Sequence, residues 1–114
     1  MKLRIGSANV GTLHRQRGEI VEMAGRRRLE ICCLQETHWK GGNTRTFVED
    51  GARYKLYWSG CDHGLSGVGV MISEKWFEHV FRVRRIRERL LLLRLAVDKT
   101  ILNAVSVYAP QVGR

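Results

Sequence analysis

The run Ile31-Cys32-Cys33-Leu34-Gln35-Glu36 decides the architecture. Four consecutive apolar residues cannot alternate between a wet and a dry face, so a strand made of them is buried on both sides. Leu90 to Leu93 reads the same way. Two such strands imply more than two layers, with helices on one side of a sheet and a further layer on the other. The carboxylate that closes the first run falls at a sheet rim, where polar chemistry meets water and oxygen atoms can hold a hard cation. Glu36 is therefore a candidate metal ligand. The plainer reading is a solvated acid after a strand.

Outward from this run, Leu3 to Asn9 predicts a first strand, followed by a turn through Gly11 and a helix from about Gly18 to Arg27. Ile20, Met23, Ala24 and Arg27 recur at helical spacing, which sets one stripe against a sheet and leaves Glu19, Glu22 and Arg26 in water. This is a strand-helix-strand opening. Lys40 to Asn43 reads as a Gly-rich loop, and further strands are expected at Tyr54 to Ser59, Val68 to Ser73, Phe81 to Ile86, Leu90 to Val97 and Thr100 to Tyr108. Asp98-Lys99 has the length of a tight hairpin turn.

At 114 residues the chain allows one domain, burying about two thirds of its unfolded surface. Twenty Lys and Arg against 11 Asp and Glu give a net charge of +9. That balance favours a polyanionic partner over a neutral small molecule. Cys32 and Cys33 point to opposite faces of one strand, and Cys61 lies far away, so the three cysteines carry no zinc spacing and are expected as free structural thiols in a reducing compartment. No apolar leader or membrane-length run is present, which leads to the expectation of an intracellular protein of nucleus or cytoplasm with no membrane partner.

Four segments fall in a telling order: a strand ending in Ser7-Ala8-Asn9, then Leu34-Gln35-Glu36-Thr37, then Ser66-Gly67-Val68-Gly69-Val70, then Val107-Tyr108-Ala109-Pro110. The series resembles the endonuclease/exonuclease/phosphatase superfamily. Within it the chain is most similar to the endonuclease domains of non-LTR (LINE-type) retrotransposons and the craniofacial development protein 2-like proteins, through Gly18-Glu19-Ile20-Val21-Glu22-Met23, the Ile-Cys-Cys-Leu-Gln-Glu-Thr stretch and Tyr108-Ala109-Pro110-Gln111-Val112-Gly113. The resemblance implies a four-layered α/β sandwich of which residues 1–114 are the amino-terminal half, mainly one sheet plus a flanking helix. It also implies that Glu36 ligates Mg2+ (or Mn2+), that Asn9 organises the phosphate and catalytic groups, and that Tyr108 hydrogen-bonds near the scissile phosphate. The family's later Asp-Asn and Ser-Asp-His segments are not in this sequence, so metal and phosphate recognition without turnover is expected. Ala8 stands where many members carry Trp.

Phosphodiester hydrolysis needs in-line attack by water and neutralisation of charge on the phosphate oxygens. A Mg2+ held by one or two carboxylates keeps its remaining positions for water and substrate phosphate, a role that suits Glu36. Lys40 and Arg45, expected in the loop beside Glu36, are candidate DNA contacts. The arginines at 26 to 28 and at 82, 84, 85, 87 and 89 are either a solvated face or DNA contacts. Trp39 either stacks on a base or sugar or anchors its loop. His14, His38, His63 and His79 form no triad or zinc spacing. With only the first sheet supplied, its inner face would lie open, and another chain could cover it. The reading that follows is a DNA endonuclease domain of retrotransposon type. Its alternatives are a non-catalytic nucleic-acid or protein-binding module, and a phosphatase of the same superfamily.

Overall fold

A computed structural model describes residues 3–10, 16–62 and 66–108. The Gly11 turn, His14, His63 and the residues from Ala109 onward lie outside the described residues. The elements are β1 (Ile5–Asn9), α1 (Arg17–Arg26), β2 (Ile31–Gln35), β3 (Gly42–Glu49), β4 (Ala52–Ser59), β5 (Val68–Ser73), a 3-10 turn (Glu74–His79), β6 (Val80–Ile86), β7 (Leu90–Val97) and β8 (Thr100–Val107). Strands β1-β2-β5-β4-β3 form one sheet and β6-β7-β8 a second. β1 and β2 are parallel, and every other pairing is antiparallel. The parallel pair needs a crossover, which α1 provides.

The helix begins where the Gln16 backbone N–H donates to the Glu19 carboxylate at 3.3 Å, a reciprocal tie that satisfies one orphan donor of the first turn. Its buried stripe is Ile20, Val21, Met23 and Ala24. Arg27 does not belong to that stripe: it is exposed and ends the helix, its N–H donating to the Met23 carbonyl at 3.1 Å. Ile20, Val21 and Ala24 pack with Cys32, Leu34, Leu56, Trp58 and Met71 into a core on one face of the first sheet.

The other face of that sheet corrects the expectation of a single sheet with an open side. Leu91, Leu93, Leu95 and Ala104 of the second sheet cover Ile31, Val68, Val70 and Ile72 of the first, all of them buried. The order is helix, sheet, sheet. Trp76, 1 % exposed, is driven into this second core by the 3-10 turn, and its indole N–H donates to Glu30 at 2.8 Å. Cys32 and Cys33 separate as the strand pleat demands, Cys32 under the helix and Cys33 toward the second sheet.

Apolar surface does remain, but one layer further out. Leu90 and Leu92 point away from the inner Leu91, Leu93 and Leu95, and are half-buried beside exposed Ile86, Val105 and Val107. The unbroken leucine run thus reflects one buried face and one apolar outer face.

β3 was not expected. It is an edge strand, mostly exposed, joined to β4 by Asp50-Gly51, both at positive φ (50° and 79°). A two-residue turn of that kind requires left-handed backbone at both positions, which Asp and Gly accept. At the β7–β8 turn Asp98 takes φ 55°, consistent with the expected hairpin.

Candidate functional site

One rung of backbone pairing crosses the whole first sheet: Asn9 with Gln35, Gln35 with Val68, Val68 with Ser59, and Ser59 with Gly42. All five strands therefore meet one rim at the same level. Asn9 closes β1 there, Glu36 follows β2 directly, and Lys40 lies two residues before β3 at the far end. Backbone bonds seal the rim: Thr37 N–H to Gly67 O (3.2 Å), His38 N–H to Ser66 O (2.7 Å) and Gly60 N–H to Gly41 O (2.7 Å).

The two segments that meet beside Glu36 are unusually bent. Glu36 (φ 50°), His38 (59°) and Ser66 (62°) adopt left-handed backbone without being glycine, and Gly67 takes φ 103°. A Cβ on Gly67 would run into the Thr37 hydroxyl. Left-handed non-glycine residues cost on the order of 1 kcal/mol each, and such strain persists only where the surrounding structure imposes it. Thr37 is 3 % exposed, and its hydroxyl has no hydrogen-bond partner among the described residues.

The second sheet reaches the same rim. The Ser106 hydroxyl donates to the Leu34 carbonyl and accepts from Gln35 Nε2 at 3.3 Å, while Gln35 Oε1 accepts from Ser7 Oγ at 3.2 Å. Gln35 thus ties β1, β2 and β8 together beneath the rim. Tyr108 follows β8, half-buried, with its N–H donating to the Arg89 carbonyl at 2.8 Å. The Ser59 hydroxyl donates to the Arg87 carbonyl. Asn9, Glu36 and Tyr108 accordingly end three strands at one end of the sandwich.

The basic residues divide by position. Lys40 is exposed at the rim, and its carbonyl accepts from Trp58 Nε1 at 3.3 Å. Arg45 is not in a loop: it lies inside β3 opposite Leu56, three residues beyond the rim rung, with its guanidinium 4.9 Å from the Phe47 ring centre. The triplet Arg26 to Arg28 precedes β2 and falls at the opposite end of the sheet from Glu36, where Arg26 pairs with Glu22 at 3.0 Å. Arg85 is structural. It donates to the Trp58 carbonyl (3.0 Å), the Asn43 carbonyl (2.9 Å) and the Thr44 hydroxyl (2.8 Å), clamping β6 to the first sheet, and burial lowers its pKa. Arg82 and Arg84 line the outer face. Arg87 and Arg89, in the β6–β7 turn, reach the rim beside Ser59 and Tyr108.

Sequence reasoning assigned no role to Gln35 or Ser106, and did not separate Arg87 and Arg89 from their neighbours. The separating feature is the strand end at Ile86, which leaves Arg85 inside β6 and puts Arg87 and Arg89 beyond it. Ala8 packs against the helix-side core. His38 is exposed at the rim, and the His79 ring nitrogen Nδ1 lies 2.7 Å from the Ala96 carbonyl.

No helix among the described residues is long and apolar enough to cross a membrane. No family model matches the sequence. The backbone matches part of the fold of a solved retrotransposon endonuclease domain. One solved structure to which it is similar is the endonuclease domain of TRAS1, a telomere-specific non-LTR retrotransposon, with a TM-score of 0.52 and 17 % sequence identity. The match covers 96 % of this chain and 45 % of that one, so the chain spans less than half of that domain's length.

Proposed function

We propose that this chain is the amino-terminal part of a Mg2+-dependent DNA endonuclease domain of retrotransposon type. One observation carries the reading: Asn9, Glu36 and Tyr108 end three strands at one rim, in a fold shared with a retrotransposon endonuclease. The four-layered sandwich is part of the proposal. β1 and β8 are edge strands on the same side of the two sheets, where further strands would extend both.

The donors at the rim suit a hard cation, with a carboxylate at Glu36 and an amide oxygen at Asn9. Among the described residues no group of three His, Cys, Asp or Glu side chains could hold a metal, so Glu36 serves as a partial ligand to Mg2+, or to Mn2+ in its place. Bound there, the ion would neutralise phosphate charge and act as a Lewis acid toward the leaving oxygen. The chain's own part is to orient and hold. Asn9 positions phosphate without adding charge, the Tyr108 phenol donates to a phosphate oxygen, and Lys40, Arg87 and Arg89 balance the backbone's negative charge. A water-activating group is the missing contribution, so the chain by itself binds without turnover. A phosphatase of small substrates is disfavoured by the +9 charge.

A duplex DNA titration tests this. Affinity should fall steeply as salt rises, with a slope of roughly −0.9 per phosphate neutralised. Salt-independent binding removes nucleic acid as the partner. Binding that ignores both Mg2+ and Glu36→Gln favours a non-catalytic binding module.

A further inference from the structure

Beside the rim, on the helix face of the first sheet, a second cationic feature stands apart from Glu36. Arg17 opens α1, and its guanidinium carbon lies 4.3 Å from the Trp58 ring centre and 5.2 Å from that of Trp39. The two indoles meet edge to face at 6.2 Å and 77°, and the Trp58 N–H bond to the Lys40 carbonyl holds that ring in place. Arg45 projects from the same face, since it pairs with Leu56 of the helix-side core and shares that face with Phe47, on which it stacks.

Stacking occupies the flat face of a guanidinium and leaves its N–H edge to donate, the geometry that suits phosphate. Neither Arg17 nor Arg45 has an ion-pair partner among the described residues, and Arg17 Nε is shielded from water without an acceptor there. Burial lowers the Arg17 pKa first, and the positive charge of Arg45 lowers it further. Two like charges on one face, each set against aromatic rings, with a buried donor left unsatisfied, suit an anion.

We propose that Arg17 and Arg45, carried on Trp39, Trp58 and Phe47, bind one backbone phosphate of DNA that lies across the rim toward the helix face. The proposal rests on the DNA reading above and adds to it the path of the strand. Trp39, three residues past Glu36, links the two places, so DNA reaching the rim would continue over this platform.

The test uses the 114-residue chain and a fluorescent duplex, with Arg17→Met, which keeps a stem between the indoles, Arg45→Ala on the exposed edge strand, and the double variant. Each single variant should bind several-fold more weakly and lower the salt slope by about one phosphate, making the loss between about 50 and 200 mM salt roughly threefold shallower. Because both cations hold one phosphate, the double variant should lose no second unit of slope. Unchanged binding by both variants, while the parent chain binds duplex, overturns this site and leaves the DNA reading standing. Failure of the parent to bind removes both. A defect confined to Arg17→Met, with a shifted urea midpoint, makes Arg17 a staple and overturns the site. Saturable binding of inorganic phosphate that both substitutions abolish, with duplex binding unaffected, assigns the site to free phosphate and overturns its DNA role.

Discussion

Joined to the remaining portion of a retrotransposon endonuclease domain, the chain should nick supercoiled plasmid in Mg2+, and Glu36→Gln should slow that nicking by roughly 10³-fold, about 4 kcal/mol of barrier. The substitution keeps size and hydrogen bonding while removing the ligand's charge. It leaves the backbone bonds from Thr37 to Gly67 and from His38 to Ser66 in place, so the loss should fall on turnover and not on folding. The unfused chain should show no nicking above a buffer control. Nicking by a fusion that is indifferent to Glu36 would sink the metal assignment. Robust nicking by the unfused chain, lost on Glu36→Gln, would mean that the rim residues already suffice.

Trp76→Ala should cost about 3–5 kcal/mol, a large fraction of the roughly 5–15 kcal/mol that holds a domain of this size. The side chain fills the space between the sheets and satisfies Glu30 at 2.8 Å, so truncation leaves both a cavity and an acceptor without its donor. Trp76→Phe keeps most of the burial and loses the hydrogen bond, and should cost nearer 1 kcal/mol. Urea melts followed by far-UV circular dichroism measure both. Equal losses would mean that the bond to Glu30, and not the packing, dominates.

What the sequence disclosed follows physical lines. Ile31 to Gln35 was legible because two-sided burial forbids alternation, whereas the register of Asn9 with Gln35 came only from the structure. Leu90 to Leu93 misled, because an apolar outer face and a buried one give the same letters. β3 escaped notice because an edge strand needs few apolar residues; its signal was the Asp50-Gly51 turn, where both backbones are left-handed. The rim was half legible. Glu36 and Asn9 end strands, which a sequence can display, whereas Gln35, Ser106 and the Arg17 platform arise from contacts across 71 residues or between a helix start and two indoles. No local pattern records such distances.

The adjacent thiols of β2 can act as two clocks set one residue apart. Cys32 is sealed under α1 and Cys33 faces the second sheet, so a thiol reagent must wait for a different local opening to reach each. Burial pushes Cys32 up to about 11 from its ordinary 9.0. The folded chain therefore holds that proton more tightly, and its contribution to stability is lost as pH rises through this window. Mass-resolved alkylation at neutral pH would time the lifting of the helix at one cysteine and the parting of the sheets at its neighbour, showing whether the layers open together or one before the other.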